Sequence, residues 1–263
     1  ELARVYVLIR SKKGKTPAQR FAEDVAPARL FDALPADWAA RVTPVAGELA
    51  EANGGLSDAD LARLQGELTH IVHCAASVDF DLPVAEAAEA NILSALHVLD
   101  LAKGCAHLQR MVSVSTAYVT PWQAGQGPIP AALVPLPFDP AQAYADMRAG
   151  KADQDALMAK SGHPNTYTLT KCVAEHLLVA NRGSVPLTIV RPSIVSATLH
   201  HPFPGWIDSA AAFAGFVALI GAGQMKVLVA DGNSALDVIP CDAVAEVVLG
   251  EAFRADAPTA HVP

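Results

Sequence analysis

A tyrosine and a lysine stand four residues apart in the segment NTYTLTKCVAE, as Tyr167 and Lys171. Pro164 followed by Asn165 and Thr166 predicts the start of a helix with an Asn or Thr cap, so both side chains would share one helical face. A lysine cation beside a phenol favours phenolate and lowers its pKa from about 10, which would suit Tyr167 to acid–base chemistry. Many helices carry this pair by chance, so the rest of the chain must decide its meaning.

Hydroxyl side chains form a second candidate group, in the segment SVSTAYV. Ser113, Ser115 and Thr116 would stand at the end of a central strand, where the active sites of open α/β sheets form. Serine and threonine also favour ordinary strand-end turns, so this segment alone is weak evidence. Hydride transfer to a carbonyl needs such groups, because the developing oxyanion must be hydrogen-bonded and then protonated.

A basic cluster, RSKKGK, follows the first predicted strand and contains Arg10, Lys12, Lys13 and Lys15. In a doubly wound sheet the end of the second strand reaches the adenosine ribose, where an arginine accommodates the 2′-phosphate of NADP. Arg10 is predicted to do this, because its planar fork matches a phosphate, and Ser11 and Lys12 are predicted to assist it. A solvated basic loop is the alternative.

Later strand ends supply the remaining cofactor candidates. Ligands of open α/β sheets bind outside the carboxyl ends of the strands, and small residues there let a cofactor lie close to the backbone. A proline after the last core strand would fix the backbone against the nicotinamide, or would only end that strand. These candidates are Glu48, Leu49, Ala75, Ala76, Pro192 and Ser193. His73, beside them, is interpreted as a core histidine.

The elements that must position these residues alternate between strands and helices. Strands are predicted at residues 4–10, 41–49, 70–76, 109–119 and 186–195, and helices at 16–41, 58–69 and 85–105. This alternation predicts an α/β fold with a parallel sheet and helices on both faces. The usual opening strand with its Gly-rich turn is not found, so we expect either a partial sequence or a chain that does not bind dinucleotides.

The composition and charge of the chain argue against several classes of protein. The formal net charge of −8 argues against a generic nucleic-acid binder, and four cysteines without a CxxC pattern suggest neither a zinc site nor a disulfide framework. The longest apolar run, Ala210 to Ala222, is too short to span a bilayer and is expected to form a buried or substrate-facing helix. A reducing cytoplasm of bacterial type fits this composition.

The chain resembles the extended short-chain dehydrogenase/reductase superfamily, because it carries, in this order, a strand that ends in hydroxyl residues, a YxxxK motif and an RPxxI motif. In its individual segments the chain is similar to one branch of this superfamily, the alcohol-forming fatty acyl-CoA reductases, which contain the male-sterility-type domain. The matching segments cover nearly the whole chain in the family's order: VYVLIRSKKGKTPAQR, HCAASVDFD, VSVSTAYV, YTLTK, VRPSIVSA, PFPGWIDS and LDVIPCDAVAEVVL.

The resemblance implies a doubly wound, Rossmann-like α/β fold, NADPH as cofactor and a fatty acyl-CoA as substrate. Thr116 matches the catalytic Ser/Thr, although Thr120 stands where a tyrosine is usual. Tyr167 and Lys171 match the catalytic Tyr and Lys, and Lys171 would also hold the nicotinamide ribose. Arg10 matches the NADP-selecting arginine. The expected reaction takes a long-chain thioester to the aldehyde and on to the alcohol.

Under this resemblance, residues 1–263 form one NADP-binding reductase domain, partial at both ends, with residues 196–235 contributing to a substrate lobe. Ser115 and Trp206 are predicted to contact substrate, and the apolar segment from Phe203 to Ala222 forms either the acyl-chain wall or plain core. Three alternatives stay open: a thioester reductase acting on carrier-bound chains, a sugar-nucleotide epimerase or dehydratase, and a truncated non-catalytic remnant. Membrane contact, because the substrate is lipid, and a homo-oligomer also stay open.

Overall fold

The computed structural model describes residues 2–12, 14–121, 129–209, 212–227, 229, 231–232, 235–255 and 260–261. Eight strands are described: β1 (Val5–Ile9), β2 (Val42–Ala46), β3 (His70–His73), β4 (Arg110–Val114), β5 (Leu187–Val190), β6 (Ile194–Ser196), β7 (Val238–Pro240) and β8 (Ala260–His261). Every pairing between these strands is parallel, which confirms the predicted α/β class with a parallel sheet.

The strands form three sheets, ordered β1-β2, β3-β4-β5-β8 and β6-β7. A cavity of about 410 Å³ is lined by residues of both β1 and β3. In the described part of the chain, β1 and β3 belong to separate sheets, and this cavity lies between them.

Nine helices of α type lie among the described residues: α1 (Pro17–Arg20), α2 (Asp58–Glu67), α3 (Val84–Ala88), α4 (Ser94–Gly104), α5 (Pro140–Arg148), α6 (Gln154–Ser161), α7 (Thr166–Asn181), α8 (Ala212–Gly221) and α9 (Cys241–Ala252). Five of them begin at a side-chain cap whose oxygen accepts a backbone N–H of the first turn, as the capping rule predicts: Thr16, Ser57, Asp139, Asp153 and Asn165. None of the helices searched in the described part of the chain is long and apolar enough to cross a membrane.

Two predicted helices differ from the observed ones. The region 16–41 is broken into α1, a π-helical turn at Phe21–Val25 and 3-10 turns at Arg29–Phe31 and Trp38–Arg41. Pro27 and Pro35 interrupt it, because proline lacks the N–H that a continuing helix needs. The region 85–105 is helical as far as Gly104, but a π-helical turn, Glu89–Leu93, joins α3 to α4.

The core surrounds α7, eleven of whose residues are buried. One apolar cluster packs the sheet against α4 and α7 and includes Leu99, Met111 and Leu187, all fully buried. A second cluster packs α7 against α3 and α5 and includes Leu169 and Met147. Because α7 is held from both sides, the side chains at its first turns have fixed positions relative to β4.

Candidate active site

The helix α7 carries Tyr167 and Lys171, as the sequence predicts. The side chain of Asn165 caps it by accepting the backbone N–H of Thr168 at 2.9 Å. Lys171 is buried, with 6% of its surface exposed, and its Nζ donates to the carbonyl oxygen of Val114 at 2.9 Å. This contact places the ammonium group at the carboxyl end of β4, which is the edge where ligands bind in such sheets.

Thr116 lies at that same edge, and its hydroxyl is close enough to Tyr167 to lower the pKa of that phenol. The loop that carries it is fixed to the end of β5, because Ser115 N donates to Val190 O at 2.7 Å and Ala117 N donates to Pro192 O at 2.9 Å. The structure therefore brings the three predicted catalytic residues together from two separate elements.

Burial dominates the electrostatics of this group. Burial raises the pKa of Tyr167, and the Thr116 hydroxyl lowers this pKa by a smaller amount. The ring of Phe80 lies 5.6 Å from the Tyr167 ring, measured between the ring centroids. Burial also lowers the pKa of Lys171 to about 8. The expected lowering of the tyrosine pKa by Lys171 is thus wrong for this structure: desolvation disfavours phenolate, and the ammonium group is hydrogen-bonded to Val114.

A cavity of about 950 Å³ opens at the carboxyl ends of β1, β2 and β3, and its wall meets the start of α7 at Leu82, whose carbonyl oxygen accepts the hydroxyl of Thr166 at 2.8 Å. Five of the predicted cofactor residues line it: Arg10, Glu48, Leu49, Ala75 and Ala76. Its volume is at the upper end of the range for ligand sites, about 300–1,000 Å³. Small alanines at the strand ends and a guanidinium group at the rim fit an extended dinucleotide.

The other predicted cofactor residues do not line this cavity. Ser11 and Lys12 are exposed, and the backbone of Lys12 pairs with that of Lys15 in a tight turn. Pro192 and Ser193 are half-buried at the end of β5, beside the Thr116 loop. Lys13 lies outside the described residues. His73 is buried, and burial lowers its pKa to about 4, as expected of a core histidine.

Sequence analysis missed a second arginine in the cavity, Arg20. Its NH1 donates to the carbonyl oxygen of Arg10 at 2.6 Å, and its side chain lines the cavity with that of Arg10. Arg10 itself forms an exposed ion pair with Glu48 at 3.4 Å. The signal was an arginine on the short helix after β1, but only the fold shows that this helix returns to the end of β1.

A buried amide, Asn91, connects the cavity to the catalytic helix. Its Oδ1 accepts the backbone N–H of Ser77 at 2.9 Å, and its Nδ2 donates to Thr170 Oγ1 at 3.1 Å. Ser77 lines the cavity and Thr170 precedes Lys171 on α7. Sequence analysis did not single out Asn91, although a polar amide inside the apolar stretch EANIL is an available signal.

A buried ion pair fixes the same helix to the end of β5. Arg191 Nε donates to Glu175 Oε1 at 2.9 Å, and a second nitrogen, NH2, bonds Oε2 of the same carboxylate. The side chains are 7% and 2% exposed. This bidentate pair joins α7 to the strand end that adjoins Thr116, and it too was not predicted.

The predicted substrate residues occupy different environments. Ser115 is buried next to Thr116, and its hydroxyl has no hydrogen-bond partner in the described part of the chain. Trp206 is half-buried in a folded loop, where its backbone N–H donates to Thr198 Oγ1 at 3.0 Å. The apolar helix α8 exposes large side chains, with Phe216 at 45% and Ile220 at 54%, so it is not plain core.

Asp242 holds the loop that carries Trp206. Its carboxylate accepts three successive backbone N–H groups, from Leu199 at 2.9 Å, His200 at 2.7 Å and His201 at 3.1 Å. These bonds hold the pKa of Asp242 well below its usual range.

Replacing Asp242 with asparagine is expected to loosen this loop, because an amide offers one acceptor oxygen and no charge. Hydrogen exchange at the amides of residues 199–201 should become about tenfold faster, measured by mass spectrometry. The matched control is Glu246→Gln, an exposed residue on the same helix. Equal exchange in the two variants would contradict the anchoring role.

Comparison with known proteins gives concordant matches. Residues 1–248 match the NAD-binding family described as male sterility protein. Fatty acyl-CoA reductase 1 of Xenopus laevis is 32% identical over 258 residues, which cover 95% of this chain and 49% of that protein. Fatty acyl-CoA reductase 1 of Arabidopsis thaliana is 31% identical over 287 residues, covering 95% and 57%. The chain thus spans about half the length of these curated relatives.

Among solved structures, the terminal R domain of the myxalamid PKS-NRPS pathway superposes with a TM-score of 0.70. Its sequence is 23% identical, and the match covers 96% of this chain and 56% of that one. At this identity the match supports the fold alone, which is a Rossmann-like α/β architecture.

Proposed function

The chain belongs to the male sterility protein family of NAD-binding domains, and from this premise we propose that it is an NADPH-dependent fatty acyl-CoA reductase. The substrate is a long-chain thioester, reduced to the aldehyde and on to the alcohol. The observation that carries the proposal is the cluster of Thr116, Tyr167 and Lys171 at the carboxyl end of β4, beside a cavity large enough for the cofactor.

In this proposal the cavity holds the adenosine half of the cofactor. Arg10 and Arg20 bind the 2′-phosphate, because both reach its rim and guanidinium groups match phosphate geometry. Ala75 and Ala76 permit close approach along the backbone. Lys171, whose Nζ is directed at the strand edge, holds the nicotinamide ribose. Bound NADPH supplies a hydride to the thioester carbonyl carbon.

The chain's own residues handle the oxyanion and the proton. Thr116 and Tyr167 donate hydrogen bonds to the carbonyl oxygen as charge develops there. Tyr167 then gives up its proton; its raised pKa keeps the phenol protonated until that moment. The thiol leaves and an aldehyde forms, at a cost of one NADPH and one proton. A second NADPH and a second proton give the alcohol.

Replacing Arg10 or Arg20 with alanine is expected to raise KM for NADPH about 10- to 100-fold, the usual loss for one charge-assisted hydrogen bond. KM for NADH, which lacks the 2′-phosphate, should stay within about twofold, since neither arginine meets a charge there. The measurement is kcat/KM for both cofactors, with Lys12→Ala as the exposed charge control. If both variants keep the same preference for NADPH over NADH, the two arginines do not bind the 2′-phosphate and are surface charges only.

The alternative is reduction of an acyl chain held by a carrier protein. The likeness to the terminal R domain supports the shared fold, and the catalytic cluster would serve either thioester. Comparing palmitoyl-CoA with the same acyl group on a carrier domain separates these two activities, because only a carrier-specific enzyme would need the surface of the carrier protein.

Contact with a membrane, through the exposed apolar side chains of α8, belongs to the same proposal because the substrate is lipid.

A further inference from the structure

The loop between β3 and α3 carries an aromatic ring, that of Phe80, which the proposed chemistry does not use. Phe80 is 55% exposed, and its ring centroid lies 5.6 Å from that of Tyr167, with 44° between the two ring planes. This separation is within the range of about 4.5–7 Å in which two aromatic rings attract each other. A side chain from outside α7 is therefore in contact with the proposed proton donor.

The backbone on both sides of this contact is fixed by one buried hydroxyl. Thr166, which directly precedes Tyr167, donates from its Oγ1 to the carbonyl oxygen of Leu82 at 2.8 Å, and the carbonyl oxygen of Phe80 lies 3.4 Å from the same Oγ1. The loop is thus tied to the first turn of α7 at the level of the tyrosine. Because of this tie, the Phe80 ring has a set position relative to the Tyr167 ring.

The rest of the loop is held by hydrogen bonds. The backbone N–H of Ser77 donates to Asn91 Oδ1 at 2.9 Å, and Ser77 Oγ accepts the backbone N–H of Asp79 at 3.3 Å. Asp79 Oδ1 accepts the backbone N–H of Asp81 at 3.0 Å. Phe80 stands between these two aspartates, and it belongs to none of the apolar clusters that form the core of the described residues. Core packing therefore does not account for its ring.

We propose that Phe80 is a positioning residue for Tyr167: its ring keeps the tyrosine ring in one orientation and keeps water from part of it. Without the Phe80 ring, Tyr167 gains both rotamers and solvent, and a displacement of about 1 Å in a reacting group is enough to lose much of the rate. Burial raises the pKa of the phenol, which agrees with such shielding. This inference rests on the proposed role of Tyr167 as proton donor.

The kinetic test compares Phe80→Ala, which removes the ring, with Phe80→Tyr, which keeps it at an exposed position. With palmitoyl-CoA, Phe80→Ala is expected to lower kcat about tenfold and to leave KM for NADPH within about twofold, because the cofactor cavity is intact. Phe80→Tyr should keep kcat within about twofold. Phe253→Ala is the matched control, since Phe253 is 50% exposed and its ring lies 4.5 Å from that of His70, at the opposite end of β3.

A second measurement follows the phenol itself and needs no substrate. Nitration of Tyr167 by tetranitromethane is quantified by mass spectrometry on the tryptic peptide 161–171, in which Tyr167 is the only tyrosine. We expect nitration about three- to tenfold faster in Phe80→Ala than in the unaltered protein, because reagent access and the phenolate fraction both rise. Phe253→Ala should be nitrated at the unaltered rate, and Phe80→Leu gives the same comparison if the alanine variant does not fold.

The outcomes separate this inference from the proposed function. An unchanged kcat in folded Phe80→Ala, or a loss that Phe80→Tyr or Phe253→Ala shares, would overturn the inference and leave the reductase activity standing. If the unaltered protein oxidises no NADPH with palmitoyl-CoA, the proposed function fails. Nitration then decides the inference alone: a faster rate in Phe80→Ala supports the shielding of Tyr167 by Phe80, and an equal rate overturns it.

Discussion

Phenylalanine in place of Tyr167 is expected to lower kcat for NADPH oxidation with palmitoyl-CoA about 10²- to 10⁴-fold, the usual contribution of a positioned acid. The variant keeps the ring and its contact with Phe80, so the helix and the cavity should be undisturbed. It loses the hydroxyl that lies near Thr116 and that would protonate the oxyanion. The loss should therefore appear in kcat, with KM for NADPH nearly unchanged.

The matched control is Tyr144→Phe, which removes a hydroxyl from α5, outside the catalytic cluster. That variant should retain turnover within about twofold, since the residue is not part of the proton path. Steady-state kinetics on both variants, with thermal unfolding to confirm folding, completes the comparison. Turnover by Tyr167→Phe equal to that of the unaltered protein would exclude Tyr167 as the proton donor.

The largest expected effect on stability comes from Arg191. Replacing it with leucine leaves the Glu175 carboxylate, 2% exposed, buried without its counter-charge. Breaking such a pair from one side typically costs about 3–5 kcal/mol in the free energy of unfolding, because the remaining charge is uncompensated. Urea unfolding monitored by circular dichroism measures this cost.

Two further variants test the cause. The double variant with Glu175→Leu should recover much of the loss, since well-packed apolar residues can replace a buried pair at little cost. Lys103→Leu, which breaks an exposed pair with Asp100, should cost less than about 1 kcal/mol. An Arg191→Leu cost no larger than that of Lys103→Leu would show that the pair does not hold α7 to β5.

Local sequence patterns predicted where Thr116, Tyr167 and Lys171 lie in the fold. The spacing of Tyr167 and Lys171 fixes them on one face of a helix whose cap, Asn165, is written next to them. The hydroxyls of SVSTAYV follow an apolar run, and Thr116 does lie at the end of that strand. Strand-end geometry brings these groups together in any parallel sheet of this kind.

Tertiary contacts explain what sequence could not supply. Lys171 donates to a backbone carbonyl oxygen, that of Val114. Every residue has such a carbonyl, so the sequence does not show which one the lysine contacts. The raised pKa of Tyr167 depends on burial, which the i, i+4 spacing does not encode. Arg20 lines the cavity because α1 packs back against β1 and β2, which the sequence does not show.

The most direct test of the account follows the hydride itself. The protein is incubated with palmitoyl-CoA and NADPH deuterated at the transferable position, and the lipid products are analysed by mass spectrometry. The account predicts hexadecanal with one deuterium at its carbonyl carbon, or hexadecanol with two at the same carbon. If the protein binds NADPH but neither product contains deuterium, the proposed hydride transfer is wrong.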